Sequence, residues 1–437
     1  MAFWNRLVTG EKEKSPGISF GRFSDAYKSP EQLAFWDKSL QDYEKGDYTG
    51  SIRSLVRYLT NPGQTNLLTR LDGPQMEFSL YQGSKQIDCT ITQHLFRAEC
   101  KIAHCKELNV GFLRKAVEYN YDLNYARFAL DAQNNLCMVF DSLLSESSPY
   151  KLYYGLKELA VQSDKEDDLM LHEFEYLEPL GNQHVRKLEE TLIHTKMEFV
   201  REKLSSLHAT DLLGSLNPKR YQGALTYAYL SVFYSIDYLV KPEGLLMDKL
   251  GKIHLQYFSL APERLEDKIF VLQNGLKELE AMSDADLYKE MYEVVSTFGI
   301  TSPANHSVVA QFIESELQTY KWYEENKHDK VCLAICNYIA GYCMYNFALP
   351  GPDHDLMHLY FEIVEQDYFQ KLGFNVNYFS KDRTKLSKSR INQRIEEILS
   401  LHKKNFPDLP TASSIEDEEL TSVLKSLLWF IKNLPLK

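Results

Sequence analysis

The chain has 437 residues, of which 44% are hydrophobic and 25% are charged, as is usual for a globular protein with its own core. The formal net charge of −12 disfavours general binding to nucleic acid or to anionic membranes, so we expect neither as a partner. The seven cysteines lack the spacing of a disulfide framework, which favours free thiols in a reducing compartment. The first residues show no secretory leader pattern, and we therefore expect a cytoplasmic protein.

The N-terminal part of the chain begins with a Gly-, Ser- and Lys-rich stretch, residues 1–30, which we interpret as a loose arm. Ser29 and Pro30 then open a helix. Its apolar side is predicted from the spacing of four large residues, Leu33, Trp36, Leu40 and Tyr43. A second helix follows Asp47 and ends before Pro62, so the two form a helical hairpin.

From Met76 onward the hydrophobic period changes to two, which is the period of a strand with one buried side. Gly83 and Ser84 form a two-residue hairpin turn, and residues 95–105 make a third strand. A helix over the 112–117 region, strands over 125–131 and 136–140, and a helix after Pro149 complete the series. The order ααβββαββα predicts an α+β domain with an antiparallel sheet over residues 31–178.

This order resembles the type III secretion chaperone-like fold, in particular the bacterial sensory-transduction-regulator group related to it. The resemblance covers roughly residues 32–171. The resemblance rests on the strand 125–131, the turn at Asn134 and Asn135, the strand 136–140, and the next helix with Leu156, Leu159, Ser163 and Asp164. Members of that family look like dimeric, non-enzymatic binding modules, so the resemblance implies a protein partner or client and a homodimer. Family members are usually small, whereas this chain continues for a further 259 residues, 179–437.

Beyond residue 179 the strand patterns stop, and long helical patterns alternate with short breaks rich in Pro and Gly. This alternation is typical of a larger all-α helical domain, which we predict over residues 179–437. The ten predicted helices cover residues 185–207, 220–240, 245–258, 264–282, 284–298, 307–325, 330–347, 353–372, 389–404 and 416–434. The uncharged stretch 331–349 is about as long as a membrane span, but it contains polar residues such as Asn337 and Asn346. We therefore favour a buried central helix there and expect no membrane association.

A sheet backed by helices can hold a polypeptide by strand addition or in a groove. The candidate partner-binding residues are six apolar strand residues, Phe78, Leu80, Phe128, Leu130, Met138 and Phe140. The sequence leaves open which of them face a core and which face a partner.

A metal site is the competing hypothesis. His354 and His358 are four residues apart, and Glu362 and Glu365 follow at helical spacing, so all four point within one arc of a helix. A metal-dependent enzyme centred on His354, His358 and Glu362 is the alternative function. The same spacing is also typical of a polar helix side that is solvated or lies between helices.

Four further clusters have simpler interpretations. Cys332, Cys336 and Cys343 share one helix side and favour core packing over metal binding. Cys100 and His104 are predicted to face one side of a strand and Cys105 the other. The tyrosines at 227, 234 and 238 favour core packing over base stacking. The basic run comprises Lys381, Arg383, Lys385, Lys388, Arg390 and Arg394, and we expect it to pair within the chain with the acidic residues 416–419.

The chain contains no Gly-rich phosphate loop, no G-x-S-x-G and no H-E-x-x-H, so no cofactor is predicted. The absence of such motifs favours a non-enzymatic function without excluding an enzyme. The preferred hypothesis is a chaperone-like, protein-binding module.

Overall fold

The computed structural model describes residues 17–70, 76–180, 185–208, 212–261, 264–380, 385–413 and 415–436. Its fold is α+β, with an antiparallel sheet in the N-terminal part and helices after it, which confirms the predicted fold class. Within the described residues, we call 30–180 the sheet region and 185–436 the helical region.

The sheet region contains four helices and seven strands. In chain order they are α1 (Pro30–Glu44), α2 (Tyr48–Leu59), β1 (Leu67–Arg70), β2 (Met76–Gln82), β3 (Lys85–Ile91), β4 (Leu95–Cys105), α3 (Val110–Asp122), β5 (Arg127–Leu130), β6 (Asn135–Leu143), α4 (Pro149–Glu173) and β7 (Leu177–Pro179). The strand order is β1-β2-β3-β4-β6-β5, and β7 also pairs with β4. The predicted strands are present, and β1 and β7 are additions that the sequence pattern did not indicate.

Alternation along the strands decides which side of the sheet is buried. In β2 and β3 every second residue is buried, whereas residues between them, such as Glu77 and Asp88, are exposed. Helix α4 covers the buried side and comes close to it at Gly155, where an added Cβ would lie 2.6 Å from the ring of Phe140. The predicted turn is present, and Gly83 adopts the positive φ of +55° that favours glycine.

A β-bulge interrupts the alternation in β4, between Lys101 and Ala103. The extra residue reverses the side on which the following residues point. Cys100 and Cys105 are therefore both buried, and His104 instead contacts Asn135 through its Nδ1, at 2.9 Å. The prediction that Cys105 faces away from Cys100 was wrong for this reason.

The helical region contains eleven helices and four two-residue strands. They are β8 (Arg186–Lys187), α5 (Glu190–Ser206), α6 (Gln222–Val240), α7 (Gly244–Ser259), α8 (Leu265–Glu280), α9 (Asp284–Lys289), β9 (Tyr292–Glu293), β10 (Ser302–Pro303), α10 (His306–Glu325), α11 (Asp329–Asn346), β11 (Phe347–Ala348), α12 (Gly351–Val364), α13 (Gln366–Lys371), α14 (Lys388–His402) and α15 (Leu420–Lys432). Helix α11 is buried against α6, which confirms the central helix predicted at 331–349. None of the helices in the described part of the chain combines the length and apolar character needed to cross a membrane.

Two predicted helices differ from the structure. The helix predicted over 353–372 is divided into α12 and α13. The helix predicted over 284–298 ends at Lys289, and the rest of that segment is not helical and includes the two-residue strand β9. This segment contains β-branched residues, including Val294 and Val295, which favour extended backbone.

The end of that non-helical segment joins the two regions. Phe298 is buried in the core of the sheet region, although the rest of that core lies between Ile52 and Leu177. The backbone N–H of Phe298 donates to Oε1 of Gln82 at 2.9 Å, and Thr297 Oγ1 donates to the carbonyl of Tyr81 at 2.8 Å. The helical region has its own core, between Ile193 and Leu434.

The described part of the predicted N-terminal arm, residues 17–29, is a second connection; residues 1–16 lie outside the described residues. The backbone N–H of Gly21 donates to the carbonyl of Tyr238, and Arg22 binds Asp237 at 2.6 Å in the helical region. Asp25 accepts from the hydroxyl of Tyr153 in the sheet region at 2.8 Å. The arm therefore contacts both regions.

Candidate functional site

Five of the six predicted partner-binding residues belong to the core. Phe78, Leu80, Phe128, Met138 and Phe140 are buried. The sixth, Leu130 on the edge strand β5, is 38% exposed. Period-two alternation placed the five on one side of the sheet, and the helices cover that side, so they do not face a partner.

Apolar side chains are exposed instead on the outer surface of α1, α2 and α4. We call this surface the aromatic patch and define it as Leu33, Trp36, Tyr58, Tyr150, Tyr153 and Tyr154. The ring centroid of Trp36 lies 5.0 Å from that of Tyr58 and 5.0 Å from that of Tyr150. Tyr153 and Tyr154 are 5.3 Å apart. Three members are about half exposed: Leu33 (50%), Tyr150 (53%) and Tyr154 (52%).

The aromatic patch results from how α1 packs. The predicted apolar side of α1 does not form a buried side. Its buried residues are Gln32 and Ser39. The hydroxyl of Ser39 donates to the carbonyl of Ser51, and that of Ser51 donates to the carbonyl of Ser39, both at 2.8 Å. These small side chains let α1 and α2 approach closely, while Leu33 stays half exposed and Trp36 is only partly buried against the core of the sheet region.

Residues of the N-terminal arm hold the edge of the aromatic patch. The hydroxyl of Tyr153 donates to Asp25, and burial together with that carboxylate raises the pKa of Tyr153, so the phenol stays protonated. The Nζ of Lys28 lies 5.3 Å from the ring centroid of Tyr58, a cation–π contact. Burial lowers the pKa of Lys28. The rings are thus fixed before any partner arrives.

A smaller exposed apolar stripe runs along α3. Val110, Val117 and Tyr121 occupy positions i, i+7 and i+11 and are all strongly exposed. Arg114 and Glu118, which pair with each other at 2.9 Å, lie within the same stripe. The α3 stripe therefore has fewer aromatic groups and more charge than the aromatic patch.

The four residues predicted as metal ligands lie on α12 and at its C-terminal end: His354, His358, Glu362 and Glu365. His354 Nδ1 lies 2.9 Å from Oδ1 of Asp355, and Oε1 of Glu365 lies 2.5 Å from Nζ of Lys203. Among the residues that the structure describes, no group of three or more His, Cys, Asp or Glu side chains could hold a metal ion. The helical spacing placed these residues on one helix without bringing three of their ligand atoms together.

His358 and Glu362 belong to a buried polar chain. The hydroxyl of Tyr238 lies 2.7 Å from Nδ1 of His358, and Nε2 of His358 lies 3.5 Å from Glu362. Tyr378 donates to Glu362 at 2.6 Å. Burial alone would raise the pKa of Glu362, but His358, Arg394 and Tyr378 together bring it below its ordinary value. For His358 and Glu362 this arc of the helix is therefore an interhelical polar side, which neighbouring elements cover.

Two further histidine–carboxylate contacts hold the N-terminal half of α12. Nδ1 of His306 lies 2.9 Å from Oδ1 of Asp353, and Nε2 of His402 lies 2.6 Å from Oδ2 of Asp355. Burial would raise the pKa of Asp355, but the hydrogen bonds from His354 and His402 depress it strongly. These pairs connect α12 to α10 and α14, and they are structural contacts.

The remaining predicted clusters have structural roles. All seven cysteines are buried and form no disulfide, and burial raises the pKa of the Cys332 thiol to about 11, so it is protonated at neutral pH. Tyr234 and Tyr238 are buried in the core, as predicted, and Tyr227 donates to Glu316.

The basic run pairs with the acidic residues, as predicted, where it is described. Lys385 binds Glu418 at 2.8 Å, and Lys388 binds Glu416 at 3.3 Å. Arg390 donates to a backbone carbonyl, that of Asn377, and Arg394 contacts Glu362 and Glu397. The first two members, at 381 and 383, lie outside the described residues.

The sequence reasoning missed the aromatic patch, since it assigned Leu33 and Trp36 to a buried helix side. The signal was nevertheless present, because Tyr150, Tyr153 and Tyr154 place three aromatic rings within the first two turns of α4. Comparison of the chain with protein-family models, with curated proteins and with solved structures finds no match in any of the three.

Proposed function

We propose that this chain is a non-enzymatic protein-binding module that holds an apolar segment of another polypeptide on the aromatic patch. The observation that carries the proposal is the connected set of rings contributed by α1, α2 and α4. Tyr150 and Tyr154 are about half exposed, and the other rings of the set are partly buried. Tyr and Trp side chains are enriched among the residues that dominate binding energy at protein interfaces. Because these side chains have few rotatable bonds, they lose little conformational entropy when they are ordered on binding.

The packing of the rings supports the same proposal. Asp25 accepts a hydrogen bond from Tyr153, and Lys28 contacts the ring of Tyr58. Because these contacts restrain the two rings, the patch loses little side-chain entropy on binding. The α3 stripe lacks such restraint and is interrupted by the Arg114–Glu118 pair. The resemblance of residues 32–171 to the chaperone-like family agrees with a polypeptide as the partner, and that family assignment is itself part of the proposal.

Site-specific photo-crosslinking in the native cell tests the proposal. A photoreactive phenylalanine analogue is placed at Tyr154 in the aromatic patch, at Val117 in the α3 stripe, and at Phe270 on α8 as a control of similar exposure (63%). We expect a discrete adduct of the chain with another protein from position 154 and none from position 270. Substitution of Trp36 by Ala should reduce that adduct by about thirtyfold, since loss of a central aromatic anchor costs ~2 kcal/mol.

The three crosslinking positions also distinguish the possible outcomes of this experiment. An adduct from Val117 but not from Tyr154 would move binding to α3 and overturn the assignment of the patch. Equal adducts from Tyr154 and Phe270 would show that exposure alone produces them, which would end the proposal.

A further inference from the structure

The described part of the N-terminal arm is held on the helical region by a set of side chains that we call the arm site. The arm site combines residues near the C-terminal ends of α6 and α11 with residues of α12, of α13 and of the segment after α13: Asp237, Tyr238, Tyr345, His358, Phe369 and Phe374. Three consecutive arm residues, Phe20, Gly21 and Arg22, make these contacts. Residues 17–29 belong to no helix or strand.

The ring of Phe20 lies among the aromatic rings of the arm site. Its centroid is 5.1 Å from that of Phe369, 5.2 Å from that of His358 and 5.7 Å from that of Phe374. Ring pairs attract one another at these distances. Phe20 is partly buried against the core of the helical region through these contacts. The first position of the arm site therefore accepts an aromatic side chain from a segment that is neither helix nor strand.

The second position of the arm site requires glycine for two independent reasons. Gly21 has a φ of +66°, in the left-handed region that other residues rarely adopt. A Cβ on Gly21 would also lie 2.8 Å from ring atoms of Tyr238, which is buried. The close approach allows the backbone N–H of Gly21 to donate to the carbonyl of Tyr238 at 2.8 Å.

The third position of the arm site recognises an arginine. Nε of Arg22 donates to Oδ2 of Asp237 at 3.0 Å, and Nη2 donates to Oδ1 at 2.6 Å. The guanidinium carbon lies 4.0 Å from the ring centroid of Tyr345. A planar guanidinium can bind a carboxylate with two nitrogens and stack on a ring at the same time, whereas the ammonium group of lysine cannot.

The arm is held as a bound peptide would be, mainly through side chains. Among the residues that the structure describes, the contact of Gly21 with Tyr238 is the one backbone–backbone hydrogen bond that residues 17–28 make to the rest of the chain. A segment held in this way can open locally while the helices beneath it stay folded. The arm site would then be available to another segment with the same chemistry.

We propose that the arm site recognises an extended polypeptide segment with phenylalanine, glycine and arginine in succession, and that the arm fills it as a displaceable ligand within the chain. A segment of another polypeptide with this chemistry competes with the arm. Because Asp25 and Lys28 of the arm contact Tyr153 and Tyr58, displacement of the arm also releases two rings of the aromatic patch. Recognition at the arm site does not depend on whether the aromatic patch binds a partner.

Fluorescence anisotropy with a labelled synthetic peptide of residues 17–29 tests the proposal on the full chain. The receiving chain is the Arg22→Met variant, whose own arm has lost its ion pair with the site. We expect saturable binding to this variant and binding about tenfold weaker or less to the unchanged chain, because the intact arm competes at a high effective concentration. Peptides with Phe20→Ala, Gly21→Ala or Arg22→Lys should each bind the variant about tenfold more weakly. The Ser24→Ala peptide changes an exposed residue and is the control, which should bind as well as the unchanged peptide.

A second receiving chain separates recognition from misfolding. In the chain with both Arg22→Met and Asp237→Leu the carboxylate of the arm site is gone, so the Arg22→Met peptide should bind more tightly than the unchanged peptide. In the chain with Arg22→Met alone the preference should be the opposite. The proposal is overturned by no saturable binding of the unchanged peptide to the Arg22→Met chain, by equal binding of the Gly21→Ala peptide, or by the same peptide preference in both receiving chains.

Discussion

In the sheet region, charged strand residues mostly reach solvent, with the buried Lys85 as an exception, whereas in the helical region several charged side chains are buried on one helix. Glu77 and Asp88 alternate with core residues along β2 and β3 and reach solvent. In α12, by contrast, Asp353, Asp355 and Glu362 are all buried. Each of the three carboxylates contacts at least one histidine.

The difference follows from the number of covered sides. A sheet strand has two sides, and alternation separates polar from apolar residues between them. Helix α12 packs against α11, α14 and α15, so its polar residues are covered together with its apolar ones. The helical region therefore depends on specific polar pairs, which are sensitive to pH, while the sheet region depends mainly on apolar packing.

The largest effect is expected where the helical region enters the core of the sheet region. Phe298→Ala removes a buried ring and should lower the free energy of unfolding by about 3–5 kcal/mol. Because Phe298 anchors one region to the other, the loss should be greatest in the sheet region. Urea denaturation gives the total, and hydrogen exchange with mass spectrometry locates it. Phe270→Ala, at an exposed position, should change stability by no more than ~0.5 kcal/mol. A loss below ~1 kcal/mol in Phe298→Ala would contradict the anchoring role.

A slightly smaller loss is expected at the buried ion pair of the N-terminal arm. Arg22→Met leaves Asp237 buried without its cation and should cost about 3 kcal/mol. Replacing both partners, Arg22→Met with Asp237→Leu, should restore part of that loss, because no charge is then buried alone. Urea denaturation of the two variants checks this. A double variant as unstable as the single one would show that the arm is held by contacts other than this pair.

The fold was predictable where local pattern determines it. Alternation in β2 and β3, the turn at Gly83 and the breaks near Pro242 and Pro350 all depend on neighbouring residues, and the structure has them. The bulge in β4 was not predictable, because the pairing register with β6 decides it. The non-helical segment that ends at Phe298 was mistaken for a helix because its partner, Gln82, is 216 residues away in the chain.

The candidate site was less predictable than the fold. Hydrophobic spacing identified Trp36 as an apolar position, but it could not show that Ser39 and Ser51 form the contact between α1 and α2 and leave Trp36 only partly buried. Spacing likewise placed His358 and Glu362 near each other on α12, but it could not show that Tyr238 and Tyr378 cover them. The direction of a side chain follows from local sequence, whereas its surroundings follow from tertiary packing.

A moderate, pH-dependent effect is expected at Asp355. Its pKa in the folded chain is depressed below the ordinary ~3.9, so its contribution to stability is fully present above about pH 4 and is lost as the pH falls through the folded value. Asp355→Asn should cost about 2 kcal/mol at pH 6, and the difference from the unchanged chain should narrow as the pH falls below about 4. Urea denaturation across this range measures it. Asp284→Asn, an exposed pair with Arg201, should show less than ~0.5 kcal/mol at every pH. A constant difference for Asp355→Asn would contradict the role of its charge.

The smallest effect on stability is expected in the aromatic patch. A small effect there is informative, because it separates a loss of binding from a loss of folding. Tyr154 is half exposed and contacts Tyr153 edge-on, so Tyr154→Ala should lower the free energy of unfolding by only ~0.5 kcal/mol. If the patch binds a polypeptide, the same substitution should weaken binding of the crosslinked partner by about tenfold, a change of ~1.4 kcal/mol. Urea denaturation and affinity measurement on the same preparation give the two values. Substitution of a residue that serves only the fold would change the affinity and the unfolding free energy together, or neither of them. A large loss of affinity with an almost unchanged unfolding free energy would therefore distinguish a binding surface from an exposed part of the core.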